Sequence, residues 1–82
     1  MKAEDVQRLI ETRLPGARVR VSSEDGVHFE AKVICPAFSG RPLVARHRMV
    51  YETLGALMGG AIHALSLKTL APEEADPSDI AD

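Results

Sequence analysis

Few residues in this chain could do chemistry: three histidines (His28, His47, His63), one cysteine (Cys35) and the arginines Arg41, Arg46 and Arg48. Neutral imidazole is a common metal ligand. His63 follows Gly59-Gly60 and is flanked by Ile62 and Ala64. It opens a predicted strand, at a rim where side chains stay partly exposed. One histidine does not make a metal site, because even open sites use about three protein ligands. A site on His63 therefore needs His28, a partner protein or a small thiol. His28 sits beside a predicted hairpin turn on an outer sheet face, where a histidine is ordinarily solvated. His47 falls on the apolar stripe of a predicted helix and reads as half-buried and hydrogen-bonded within the fold.

Catalysis finds little support. There is no GxSxG, HExxH, Walker or GxGxxG pattern. Cys35 lies at a strand end beside Pro36 with no identifiable orienting group, and a lone cysteine of this kind packs rather than reacts. The arginine cluster brackets the start of the second helix. Cations there oppose the helix dipole, so they read either as a solvated face or as contacts to an acidic partner or a phosphate backbone.

Composition narrows the classes further. Eighty-two residues with 45% hydrophobic content make one small globular domain with an aliphatic core, since Trp is absent and Tyr51, Phe29 and Phe38 are the only other aromatics. Such a chain has little room for a deep substrate cleft, so neither an enzyme nor a small-molecule substrate is expected. A single cysteine excludes an internal disulfide and fits a reducing compartment. The acidic, amphipathic N-terminus lacks a signal-peptide core, and no apolar run approaches the roughly 20 residues needed to span a bilayer. A cytoplasmic protein with no membrane partner is expected. Net charge is −2, but the last twelve residues hold five acids and no base. The body, residues 1–70, carries ten basic residues against seven acidic ones. That balance hints at an anionic partner without the strong basicity of a dedicated nucleic-acid binder.

The elements that must position these residues follow from periodicity. Val6, Leu9, Ile10 and Leu14 recur at helical spacing until Pro15-Gly16, giving a helix over 3–14. Val19 and Val21 alternate with Arg18 and Arg20 as a half-buried strand. Ser22 to Gly26 supplies turn chemistry with Asp25-Gly26 as a hairpin signal. Phe29, Ala31 and Val33 then alternate with His28, Glu30, Lys32 and Ile34. Phe38, between Pro36 and Gly40, plugs the core. Helical spacing returns from Leu43, with Leu43, His47, Val50, Leu54, Leu57 and Met58 on one stripe, Pro42 in the first turn and Gly59-Gly60 as C-cap. From Ile62 to Leu70 the chain alternates again, with His63, Leu65, Leu67 and Thr69 sharing a face. The expected fold is α+β, in the order α-β-β-α-β, with a three-stranded mixed sheet and both helices on one face. The other face would be open to water, which accounts for the outward Arg18, Arg20, Glu30 and Lys32. Residues 1–71 form the domain. Residues 72–82 are expected to be an acidic, disordered tail with at most a short helical turn from Pro72.

Four segments in order carry a family resemblance: His28-Phe29, Phe38-Ser39-Gly40, Arg46-His47-Arg48-Met49-Val50-Tyr51, and Ile62-His63-Ala64-Leu65, followed by Thr69 to Glu73. Together they resemble the BolA family over residues 3–75, and the short loop between the first strands looks most like its compact bacterial members. The resemblance implies a class II KH-like fold. It also implies a non-enzymatic partner of monothiol glutaredoxins in iron–sulfur trafficking or iron sensing. With the partner and glutathione, the protein would share a two-iron two-sulfur cluster, none being expected in the isolated chain. In such complexes the histidine of the IHAL segment is a ligand, which carries over to His63. The family's second ligand lies in the first loop, here Ser22-Ser23-Glu24-Asp25-Gly26, which holds neither His nor Cys. His28 is the nearest candidate. Some BolA-like proteins are instead described as DNA-binding transcriptional regulators of stress response and cell morphology. That alternative would use Arg41, Arg46 and Arg48.

Overall fold

The computed structural model describes residues 1–80 and contains the expected core order. Helix α1 spans Ala3–Arg13, strands β1 and β2 span Arg18–Ser22 and His28–Ile34, helix α2 spans Leu43–Leu54 and strand β3 spans Ala64–Leu70. Glu4 and Asp5 sit in the first turn of α1 and Arg13 in the last, both favourable to the helix dipole. The Asp5 carboxylate also accepts the Lys2 backbone N–H at 3.2 Å. Arg13 Nη1 donates to Thr53 O at 2.7 Å, tying the end of α1 to the end of α2.

The sheet order is β1-β2-β3, antiparallel between β1 and β2 and parallel between β2 and β3. Phe29, Ala31 and Val33 from central β2 meet Val19, Leu65, the α1 residues Val6 and Ile10 and the α2 residues Val50 and Leu54 in one core. Phe38 is fully buried in that core, as its position between two breakers implied. Both long helices thus cover one face of a mixed sheet.

Three sequence expectations change in detail. The inward stripe of α2 is Arg46, Val50, Thr53 and Leu54, whereas Leu43 is 62% exposed. The stripe is rotated because Arg46 takes a core-facing slot that hydropathy assigns to the surface. Second, α2 ends four residues before Gly59, at Gly55, whose φ of 52° suits glycine and breaks the helix there. Pro42 stands at the N-cap rather than inside the first turn. Third, the alternation through 62–70 breaks at its start: Ile62 is fully buried and His63 exposed. Ile62 belongs to the turn, bridging to Met58, and extended β3 begins only at Ala64.

The acidic segment, expected as a tail, carries two short elements over its described part, 72–80. Pro72–Glu74 forms a 3-10 turn and Pro77–Ile80 a short helix, α3. Glu74 grips Arg46 with Nη1···Oε1 at 2.6 Å and Nη2···Oε2 at 3.0 Å. Asp79 reaches Lys32 and Lys68 on the outer sheet face at 3.1 and 3.4 Å. That face is therefore partly covered, and Ile34 at its covered end is buried. Residues 81 and 82 lie outside the described residues.

The Arg46 guanidinium and the Ala71 N–H together hold the Glu74 carboxyl down at about 2, against an ordinary 4.5. A depressed carboxyl stabilises the fold fully above its ordinary value and loses that contribution as pH falls toward the folded value. We expect Glu74→Gln to lower Tm by several degrees at neutral pH. It should also flatten the loss of stability between pH 4.5 and about 2, read by urea melts across that window. An unchanged acid limb would show that Glu74 is not its source.

Candidate functional site

The parallel pairing of β2 with β3 sets His28 opposite Ala64, so His63 lies one residue before the register begins. The N–H groups of His63 and Ala64 both donate to Val27 O, at 2.8 and 3.2 Å. This fork fixes the entry of β3 against the start of β2. It brings the two imidazoles together, with ring centroids 5.2 Å apart and planes at 79°. Both residues are exposed.

The loop between β1 and β2 orients His28. Asp25 Oδ1 accepts the backbone N–H groups of Val27 and His28 at 3.0 and 2.8 Å, while Oδ2 lies 2.6 Å from His28 Nδ1. The backbone N–H of His28, then that of Val27, then the ring itself hold the Asp25 carboxyl well below the usual carboxylate range. An ionised carboxylate only accepts, so the proton sits on Nδ1 and leaves Nε2 available to a ligand. Ser23 completes the loop, its Oγ donating to His28 O at 2.6 Å and accepting the Gly26 N–H at 2.9 Å. Gly26 adopts a φ of 78°, the left-handed conformation that the tight turn demands. A hollow of about 530 Å³ adjoins His28, floored by Glu30, Ala64 and Ser66.

His28 and His63 thus form a pair at one end of the outer sheet face. No cluster of three or more His, Cys, Asp or Glu able to hold a metal ion occurs among the described residues. The pair can supply two imidazole nitrogens, and the remaining ligands of any metal group must come from elsewhere. His47 lies apart on α2, half-buried beside Arg48 and Tyr51. Cys35 is fully buried with its Sγ 3.7 Å from Pro15 O, so its thiol is a packing group.

The arginine cluster divides. Arg46, expected to face a partner or nucleic acid, is 7% exposed and spent inside the molecule. Its Nε donates to Arg41 O at 2.8 Å, Nη1 donates to Thr69 O at 3.2 Å, and the guanidinium lies 5.9 Å from the Phe38 ring centroid. Arg41 and Arg48 stay exposed, Arg41 donating Nε–H to Ala37 O at 2.9 Å. Sequence reasoning missed two residues here. Asp25 read only as half of a turn signal, though an Asp three residues before a His on a tight loop is placed for a ring contact. Glu74 read only as tail charge.

The chain is thus a three-stranded α-β-β-α-β domain that carries an exposed histidine pair at its sheet rim. The BolA-like protein family model matches residues 11–74, and the chain belongs to that family. It is 35% identical over 63 residues to Protein BOLA1, chloroplastic, of Arabidopsis thaliana, covering 77% of this chain and 39% of that protein. The DNA-binding transcriptional regulator BolA of Escherichia coli is 36% identical over 47 residues, covering 57% of this chain and 45% of that protein. The chain thus spans less than half the length of these two relatives. Among solved structures, a bolA protein homologue from Coxiella burnetii superposes with a TM-score of 0.81 at 49% identity, covering 90% of this chain and 95% of that one. The names borne by these family members are not those of enzymes. No helix among the described residues is long and apolar enough to cross a membrane.

Removing the Asp25 carboxylate leaves two backbone N–H groups and one imidazole without their acceptor. We expect Asp25→Ala to speed amide hydrogen exchange at Val27 and His28 roughly tenfold while leaving the β2 centre protected. Unchanged exchange at both positions would remove Asp25 from its orienting role.

Proposed function

We propose that this protein is a non-enzymatic accessory protein that binds a monothiol glutaredoxin and shares a two-iron two-sulfur cluster with it, in iron–sulfur trafficking or iron sensing. The observation that carries this reading is the juxtaposition of His28 and His63, 5.2 Å apart between ring centroids. Two imidazoles on one iron are an established ligand set for a two-iron two-sulfur centre, with sulfur ligands on the other iron. The buried Cys35 cannot offer such sulfur, so the partner's thiolate and glutathione are its natural source. Asp25 plays the orienting role that carboxylates play behind metal-bound histidines. Family membership supports the same reading. The single cysteine, which suits a reducing compartment, supports a cytoplasmic location.

The test is co-expression with a monothiol glutaredoxin followed by visible absorption and circular dichroism spectroscopy. His63→Ala and His28→Ala should each change the spectrum and shorten cluster lifetime by about tenfold or more. His47→Ala should leave both intact. A wild-type spectrum in His63→Ala would sink the assignment.

The other reading is a small DNA-binding transcriptional regulator of stress response and cell morphology, of which the name of the Escherichia coli relative supports the DNA-binding, regulatory part. In this chain it would rest on Arg41 and Arg48, because Arg46 is engaged internally. With only two such cations, duplex affinity should fall no faster than about the second power of salt concentration. Absence of binding at low salt would end this reading.

A further inference from the structure

Asp25 and Gly26 can do chemistry on each other. An aspartate followed by glycine is open to attack on its own carboxyl, because no side chain shields the next backbone nitrogen. Among the described residues the other aspartates lack that opening. Asp5 and Asp79 precede the β-branched Val6 and Ile80, and Asp76 precedes Pro77, whose nitrogen has no proton to lose.

The step balances with water alone. The Gly26 nitrogen bonds to Asp25 Cγ, and one carboxyl oxygen departs as water with the Gly26 N–H proton and a proton from solvent. The five-membered succinimide so formed then takes water back. Opening at the Asp25 backbone carbonyl breaks its bond to the Gly26 nitrogen, and the main chain now runs through Cβ and Cγ. The product, isoaspartate, has the same mass, one more backbone atom and its free carboxylate on Cα.

The folded loop opposes the first step at both reacting groups. Ser23 Oγ accepts the Gly26 N–H at 2.9 Å and so holds the proton that must leave. Asp25 Oδ1 is drawn along the chain to the Val27 and His28 N–H groups, at 3.0 and 2.8 Å. Oδ2 lies 2.6 Å from His28 Nδ1, so both carboxyl oxygens are engaged beyond Gly26. A Cβ placed on Gly26 would meet only Met1 O within 4 Å, at 3.7 Å, so these hydrogen bonds rather than packing keep the loop closed. The Asp25 side chain is half exposed, which gives water access to the reacting carbon.

We infer that Asp25-Gly26 is a site of covalent self-modification to isoaspartate, gated by the Ser23 hydrogen bond that keeps the loop closed. The modification lengthens the loop by one atom and withdraws the acceptor from the Val27 and His28 N–H groups and from the ring. It therefore disorients His28 while leaving both imidazoles chemically intact. Neither a metal nor a partner takes part, so the inference stands or falls separately from the cluster-sharing reading.

The test incubates the full chain, below its melting transition at neutral pH, beside a free peptide of residues 22–29, SSEDGVHF. Isoaspartate at residue 25 is quantified by peptide mapping with fragmentation mass spectrometry. The folded chain should isomerise roughly tenfold or more slowly than the peptide, because only the open fraction of the loop reacts. Ser23→Ala should raise the folded rate about fivefold, the effect of losing one ordinary hydrogen bond. Ser23→Thr, which keeps the hydroxyl, should retain the wild-type rate. Val19→Ala, which loosens the core and leaves the loop bonds in place, separates gating from general instability. In aged wild type, amide protection at Val27 and His28 should fall in step with isoaspartate content, while the centre of β2 stays protected. Equal rates in chain and peptide, or in Ser23→Ala and wild type, overturn the inference. So does a rise in Val19→Ala as large as that in Ser23→Ala, or isoaspartate that forms first at Asp5 or Asp79.

Discussion

Arg46 sits where an aliphatic residue would ordinarily close the core, on the inward face of α2. A guanidinium in that position is strongly unfavourable unless its N–H groups and its charge are all answered. The answers come from four places: the carbonyl of Arg41 before the helix, the carbonyl of Thr69 in β3, the ring of Phe38 and the paired oxygens of Glu74. Each belongs to a different segment, so the cation fixes them relative to one another. The Pro36–Phe38 turn, the N-terminus of α2, the end of β3 and the turn after it are therefore one cooperative corner. The second end of the Glu74 bond reinforces it, since Oε1 also accepts the Ala71 N–H at 2.8 Å.

That corner explains most of where the sequence pattern misled. Hydropathy ranks Leu43 above Arg46, so a periodicity argument turns α2 until Leu43 points inward. The bidentate pairing with Glu74 reverses the order, and it is invisible locally because its partner is 28 residues away. The same bond makes 72–74 part of the fold, although two prolines and a run of acids read as a tail. By contrast α1, β1 and β2 were legible because their partners are apolar and their period is uninterrupted. β3 was legible from Leu65 onward and wrong at Ile62 and His63, where two glycines permit a turn that shifts the phase.

The histidine pair was half legible. His63 and His28 stand out as residue types, and their proximity follows from any parallel pairing that starts β3 beside the start of β2. What the sequence cannot supply is the register, which the shared acceptor Val27 O sets. A slip of one residue would move His63 to the opposite side of the rim and separate the rings. Orientation of His28 then depends on Asp25, whose two backbone acceptor bonds fold the loop and whose other oxygen reads the ring. One carboxylate therefore couples loop shape to ligand geometry. The arginines were least legible, because sequence position alone does not separate a buried cation such as Arg46 from exposed ones such as Arg41 and Arg48.

Strand β2 links the two ends of the outer face. His28 opens it and Lys32 lies four residues on, on the same side, which at strand rise places them roughly 13 Å apart. The seat of Asp79 and the histidine pair are thus distinct positions on one rigid element, too far apart for the acidic segment to touch the imidazoles. This separation follows from the sheet alone, since neither end moves relative to the other unless β2 itself breaks.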